Sequence, residues 1–103
     1  MYIVYITDLA EQELARTLNY IANELKAPVA AAHLAEAVGH RIRLLEEQPY
    51  KFSLVQNSAL AEKDVRLLPV KRYLLFYTID EEHKKVSIAR FIYSRRDWRK
   101  LLK

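Results

Sequence analysis

Apolar and polar positions in this chain change rhythm twice, from a strand-like run to two helical stripes and back to alternation. Tyr2 to Thr7 is a short β-branched and aromatic run and predicts a strand. Asp8, with Glu11 three residues on, reads as a capping box that opens a helix. Leu14, Leu18, Ile21 and Leu25 then form one apolar stripe at helical spacing. Ala27-Pro28 breaks that helix, and Pro28 suits the first turn of a second one. Leu34, Val38, Ile42 and Leu45 make the second stripe, which ends before Pro49. So short a link predicts an antiparallel helical hairpin. Gly39 falls inside the second helix, where it costs roughly 1 kcal/mol relative to alanine; close helix approach is the expected reason.

Residues 49–63 show no period and predict a connecting loop, with a turn of helix near Ser58–Glu62. Three strands follow, at 65–70, 72–80 and 85–93, the last two joined through Asp80-Glu81-Glu82-His83. Pro69 has no N–H for the ladder, which places the 65–70 strand at a sheet edge. Strict alternation puts Val86, Ile88, Arg90 and Ile92 on one face of the last strand, and Ser87, Ala89, Phe91 and Tyr93 on the other. Ser94 with Asp97 reads as a second capping box, starting a terminal helix through Leu102. The order β-α-α-β-β-β-α predicts an α+β domain over residues 1–103. In it a helical hairpin covers one face of a small, mostly antiparallel four-stranded sheet and leaves the other face open.

Composition narrows the classes. With 51% apolar residues the chain is no disordered segment. The absence of cysteine removes disulfides, thiol nucleophiles and Cys-ligated zinc, and fits a cytoplasmic protein. The N-terminus lacks a basic segment before an apolar core, so a signal peptide is not expected. No apolar run approaches the ~18–20 residues of a membrane helix. A single glycine, Gly39, excludes phosphate-cradling Walker and Rossmann loops. His33 and His40 on one helix lie about 10.5 Å apart along its axis, too far to share a metal. No metal or small-molecule cofactor is expected.

Charge divides the chain. Residues 65–103 carry eleven Lys/Arg against four Asp/Glu, a net of +7. Residues 1–64 carry six against nine, a net of −3. The second half therefore calls for a polyanionic or acidic partner.

The element order, the frame Arg66-x₆-Tyr73-x₃-Tyr77 and the ending Val86-x-Ile88-x-Arg90-x-x-Tyr93-x-x-Arg96-Asp97-Trp98 resemble the RelE/ParE superfamily of bacterial toxins. The resemblance implies a growth-inhibiting, plasmid-stabilising toxin of a type II toxin–antitoxin module, held inactive by a cognate antitoxin that wraps its surface. RelE-like and YoeB-like members cut mRNA on the ribosome without a metal, whereas ParE-like members poison DNA gyrase without chemistry of their own. Metal-free RNA cleavage needs a base for the 2′-OH, cations for the phosphorane oxygens and an acid for the leaving 5′-oxygen. Arg66, Arg90 and Arg96 could supply cations. Tyr93 could stack on a base or move a proton, if neighbouring arginines lower its phenol from the usual ~10. Lys51, Lys71, Arg72 and Arg95 are further candidates for nucleic-acid contact.

By resemblance, Arg66 holds the basic position at the start of its strand, Arg90 and Tyr93 match the C-terminal Arg and Tyr of YoeB-like nucleases, and Arg95 or Arg96 matches an Arg of RelE-like ones. Three positions depart from the nuclease pattern. Leu74 follows Tyr73 where Tyr-Arg is common in the middle strand, Lys51 falls in the loop where YoeB-like members place a catalytic glutamate, and Ile92 stands where they carry a histidine. Ribosome-dependent mRNA cleavage is the first expectation. Gyrase inhibition, towards which the Arg-Arg-Asp-Trp ending leans, is the alternative, and a non-toxic basic binding module the third. The plainer roles are an ion pair of Arg66 or Arg90 with Asp64, Asp80 or Glu62, and a docking role for Trp98 with Leu101 and Leu102.

Overall fold

The computed structural model describes residues 1–55 and 64–102, so the expected turn near Ser58–Glu62 lies outside the described residues. The elements are β1 (Ile3–Ile6), α1 (Asp8–Asn19), a π-helical turn (Tyr20–Glu24) and α2 (Pro28–Glu47). A 3₁₀ turn (Pro49–Lys51), β2 (Arg66–Val70), β3 (Tyr73–Asp80), β4 (Lys85–Tyr93) and α3 (Trp98–Leu101) follow. The sheet runs β1-β4-β3-β2, antiparallel except for the parallel β1–β4 pair. This is the expected α+β architecture, and β2, which carries Pro69, is at an edge as predicted. Among the described residues no helix is long and apolar enough to cross a membrane.

The local chemistry differs from the expectation at both caps. Thr7, not Asp8, caps α1: its Oγ1 accepts the Ala10 N–H at 3.2 Å. Asp8 and Glu11 lie in the first turn, where their charge suits the helix dipole. At the C-terminal end α3 begins at Trp98, and its cap Asp97 makes no side-chain bond to the helix. Pro28 opens α2 as predicted. Gly39 is not a point of close helix approach, because a Cβ there would meet only the Arg43 guanidinium, at 3.7 Å.

Leu34, Val38 and Leu45 of α2 bury against Leu68, Leu75, Tyr77, Val86, Ile88 and Phe91, with Leu14, Leu18 and Ile21 packed around them. At about 1.5–3 kcal/mol per buried large side chain, this layer carries most of the fold. Leu25, expected to extend that stripe, is 56% exposed. The π turn is the reason: the Leu25 N–H bonds the Tyr20 carbonyl at 3.0 Å, five residues back, and the wider turn rotates the stripe away from the core.

The second sheet face is not open at its centre. Leu74, Phe76 and Ile92 point there and are covered by Val55, Val65 and the Trp98, Leu101 and Leu102 side chains of the C-terminal segment. Trp98 packs 5.3 Å from Phe76, centroid to centroid, in the docking role anticipated for it. What remains open is the β1 end of that face, where Ile3 and Tyr5 are exposed.

Candidate functional site

Strict alternation fails in β4 because Ala89 is an extra residue: Phe76 pairs with Arg90, but Tyr77 pairs with Ile88. Such a bulge reverses the parity of the strand beyond it. Phe91 therefore joins Val86 and Ile88 in the helix-side core, while Ile92 enters the second core. Arg90 and Ile92 leave the face assigned to them by simple alternation. Arg90 and Tyr93 still stand on opposite faces, since they are three positions apart beyond the bulge.

The bulge sits where β1 has ended and the edge of β4 would be unpaired. The first turns of α1 complete it. The Thr7 N–H donates to the Ile88 carbonyl at 3.1 Å, and its hydroxyl donates to the Ala89 carbonyl at 3.1 Å. The Phe91 N–H donates to Glu13 Oε1 at 3.0 Å. Arg90 closes the arrangement with Nε 3.1 Å and Nη2 2.8 Å from the Glu13 carboxylate, and Nη1 3.3 Å from the Leu101 carbonyl. Both side chains are largely buried, at 18% and 10% exposure. The Arg90 guanidinium is thus committed to α1 and α3. Its acidic partner is Glu13, not Asp64 or Asp80, and Glu62 lies outside the described residues. An arginine inside an apolar strand, and an acid beside the inward stripe of α1, were the available signals.

Arg66 lies on the edge strand β2, two strands from β4. It pairs with Tyr77, donates from Nη1 to the Phe52 carbonyl at 2.6 Å, and stacks its guanidinium 5.1 Å over the Tyr50 ring. Tyr93 pairs with Tyr73, four residues along β3 from Tyr77, so it is about 13 Å further along the sheet and two strands across. Arg66 and Tyr93 therefore frame no common phosphate position. Leu74, which replaces the arginine common in nucleases, is a core residue 9% exposed, and Ile92 beside it is 2% exposed. Arg95 and Arg96 are exposed in the turn after β4, whose Arg96 N–H donates to the Tyr93 carbonyl at 3.0 Å. Lys51 is exposed beside Trp98 and Arg99, around a hollow of about 430 Å³ on the second face.

Lys71, Arg72, Tyr73 and Tyr93 do meet, with Arg16 and Tyr20, around a cleft of about 840 Å³ between the helical hairpin and the β2–β3 turn. Tyr73 stacks on Phe91 at 5.0 Å and tilts against Tyr93 at 5.6 Å. Burial pushes the Tyr73 phenol above its ordinary value, with a smaller push from Tyr93.

A polar hub was not foreseen. Glu81 accepts from the Tyr2 hydroxyl at 2.7 Å, the Tyr50 hydroxyl at 3.2 Å and Lys84 Nζ at 2.5 Å. The bond from Lys84 and then that from Tyr2 hold its carboxyl below the usual range. Together with the Tyr77 hydroxyl, which donates to the Pro49 carbonyl at 2.6 Å, it ties the 49–52 segment to the sheet. In the same hairpin turn Asp80, Glu82 and His83 bring ligand atoms within 4.8 Å of one another. They are exposed, and Asp80 already accepts the His83 N–H at 3.2 Å and faces its Nδ1 at 2.7 Å. Those bonds keep the Asp80 carboxyl below its ordinary range.

The family model of the ParE toxin of the type II toxin–antitoxin system parDE matches residues 4–98. Among solved structures, a chain of the chromosomal ParDE toxin–antitoxin system from P. aeruginosa superposes with a TM-score of 0.71 at 15% identity, covering 90% of this chain and 96% of that one. A chain of the toxin–antitoxin complex RelBE2 from Mycobacterium tuberculosis gives 0.61 at 22% identity, covering 89% and 96%. At these identities the two likenesses establish the fold. No curated protein matches.

Proposed function

This chain belongs to the ParE toxin family of type II toxin–antitoxin systems, and on that premise we propose that it acts by binding DNA gyrase in the cytoplasm rather than by cutting mRNA. The observation that carries this reading is the commitment of Arg90 to Glu13. An arginine meant for a phosphorane must present free N–H groups where charge develops. Here the guanidinium is spent on one carboxylate and one carbonyl inside the protein.

The rest of the nuclease set is scattered in support of the same reading. Arg66 opens the edge strand β2, two strands from Tyr93, Leu74 and Ile92 are core, and Lys51 faces a different hollow from Tyr93. What the second half of the chain does offer is exposed cationic surface at Arg95, Arg96, Arg99 and Lys100. Such a surface steers a basic protein onto an acidic or DNA-bearing partner without any reacting group. A cognate antitoxin holds the toxin inactive until it is lost.

Induced expression separates the two activities. Growth arrest with intact mRNA by primer extension, and with cleaved or under-supercoiled DNA, is the expected result. Codon-positioned mRNA cuts lost in Tyr93→Phe would overturn the gyrase reading in favour of ribosome-dependent cleavage.

A further inference from the structure

β1 forms one edge of the sheet, and its parallel ladder to β4 uses alternate residues. The Ile3 N–H donates to the Lys84 carbonyl at 2.9 Å and the Thr7 N–H to the Ile88 carbonyl at 3.1 Å. Ile3, Tyr5 and Thr7 therefore face β4, and the N–H and C=O groups of Tyr2, Val4 and Ile6 point outward. The Tyr2 N–H is taken by the Glu46 carbonyl of α2 at 2.8 Å. Among the described residues no hydrogen bond reaches the outward N–H groups of Val4 and Ile6.

Edge strands of monomeric proteins are guarded by a charge, a proline or a covering element. Residues 2–7 contain neither a charged residue nor a proline. Large apolar side chains beside this edge are left in solvent instead: Ile3 is 72% exposed and Tyr5 55% on the second sheet face, and Leu9 is 48% exposed in the first turn of α1. The edge is also electrically polar along its length. Lys84 and Lys85 stand at the start of β1, where Lys85 pairs with Ile3, and Asp8 and Glu11 stand at its end. Two copies that meet edge to edge about a two-fold axis run antiparallel, so the basic end of each meets the acidic end of the other.

We propose that β1 pairs antiparallel with β1 of a second copy of this chain, Val4 of each copy opposite Ile6 of the other and Tyr5 opposite Tyr5 across the axis. This register joins the two open residues to each other and to nothing else, each pair exchanging both N–H···O bonds. A slip by two residues in one direction sets Ile6 against Tyr2, whose N–H Glu46 already holds. A slip the other way sets Val4 against Asp8, where the strand has ended and α1 has begun. In the proposed register the exposed Tyr5 rings meet at the axis with Ile3 diagonal to them, and the two sheets become one continuous sheet without free β1 edges. So short a strand pair is an interface of the small, weak class, below ~1,200 Å², and the dimer forms in the micromolar range. The proposal does not depend on the gyrase reading.

Analytical ultracentrifugation of the purified chain across micromolar concentrations tests it. Wild type should pass from monomer to dimer, and Tyr5→Lys, which sets two like charges together at the axis, should weaken the dimer about tenfold or more. The register has its own test, because the chain contains no cysteine. Directly opposite residues of a non-hydrogen-bonded pair have Cα atoms about 4.5 Å apart, within the about 4.4–6.8 Å that a disulfide spans. Oxidation by diamide should therefore link Tyr5→Cys into a disulfide dimer. Ile3→Cys should link at least about tenfold more slowly, since four residues of register hold its two copies about 13 Å apart. A wild type that stays monomeric throughout the range overturns the proposal, as does growth beyond a dimer. Dimers that Tyr5→Lys leaves intact, in a chain that unfolds at the wild-type temperature, place the contact elsewhere and overturn it too. Equal cross-linking of the two cysteine variants overturns the register. A monomeric wild type whose binding to some other protein is lost in Tyr5→Lys assigns the edge to that occupant instead.

Discussion

Arg90 and Glu13, seventy-seven residues apart in the chain, form a largely buried ion pair in which the carboxylate also accepts the Phe91 N–H and the guanidinium also holds the Leu101 carbonyl. One pair thereby joins α1, the bulged end of β4 and α3. Breaking a buried pair leaves an uncompensated charge, so Glu13→Ala and Arg90→Ala should each cost about 3 kcal/mol. The double variant should cost clearly less than the sum. Urea denaturation of the two singles and the double checks this. Additive losses would mean that the two groups do not act as a unit.

Leu74→Arg should not rescue a nuclease. Leu74 lies between Ile92 and the Val55–Val65 side of the second core. A charge forced in there has no acidic partner in that core among the described residues and should cost about 3 kcal/mol or more. Thermal unfolding and cellular primer extension should report a destabilised chain and uncut mRNA. A stable variant that gains mRNA cleavage would show that the rest of a catalytic site was already assembled.

Much of this fold was legible in the sequence, for physical reasons. Apolar periods marked both helices and three of the strands, and Pro69 fixed the edge because a missing N–H cannot be hidden in a central strand. The family-like arginine and tyrosine spacing also pointed to the right superfamily. Local pattern failed where a distant residue decides the local geometry. The bulge at Ala89 is fixed by Thr7 and Glu13, which reach it from α1, and no period within 85–93 records that. The same slip moved Ile92 into a second core with Trp98, so a face expected to be open is partly filled. Arginines spaced like a catalytic set then proved to face different neighbours, because spacing along a strand does not reveal which partner holds each side chain.

The Tyr77 hydroxyl is buried against the Pro49 carbonyl, and desolvation pushes its pKa from 10.0 to about 12. A pKa raised by folding means that the protonated form stabilises the fold. That contribution is complete below pH 10 and is lost as pH rises towards 12. Tyr77→Phe should cost about 1–2 kcal/mol at neutral pH, with an alkaline limb shallower than that of wild type. A stability profile unchanged by the substitution above pH 10 would contradict the assignment.

Lys71 has a positive φ in a two-residue turn. Lys71→Gly should therefore stabilise the chain by about 1 kcal/mol, by relieving the left-handed strain. The midpoint of urea unfolding reads this directly. A loss of stability would mean that the lysine side chain contributes a contact larger than the strain it causes.

The proposed activity is gyrase binding with no chemistry on RNA. The most direct measurement is a supercoiling assay with purified gyrase and relaxed plasmid, run with increasing amounts of this chain. Inhibition of supercoiling or trapped cleaved plasmid, reversed by the antitoxin, is the predicted result. Undisturbed supercoiling, together with codon-positioned cutting of mRNA when the same preparation is added to programmed ribosomes, would contradict it.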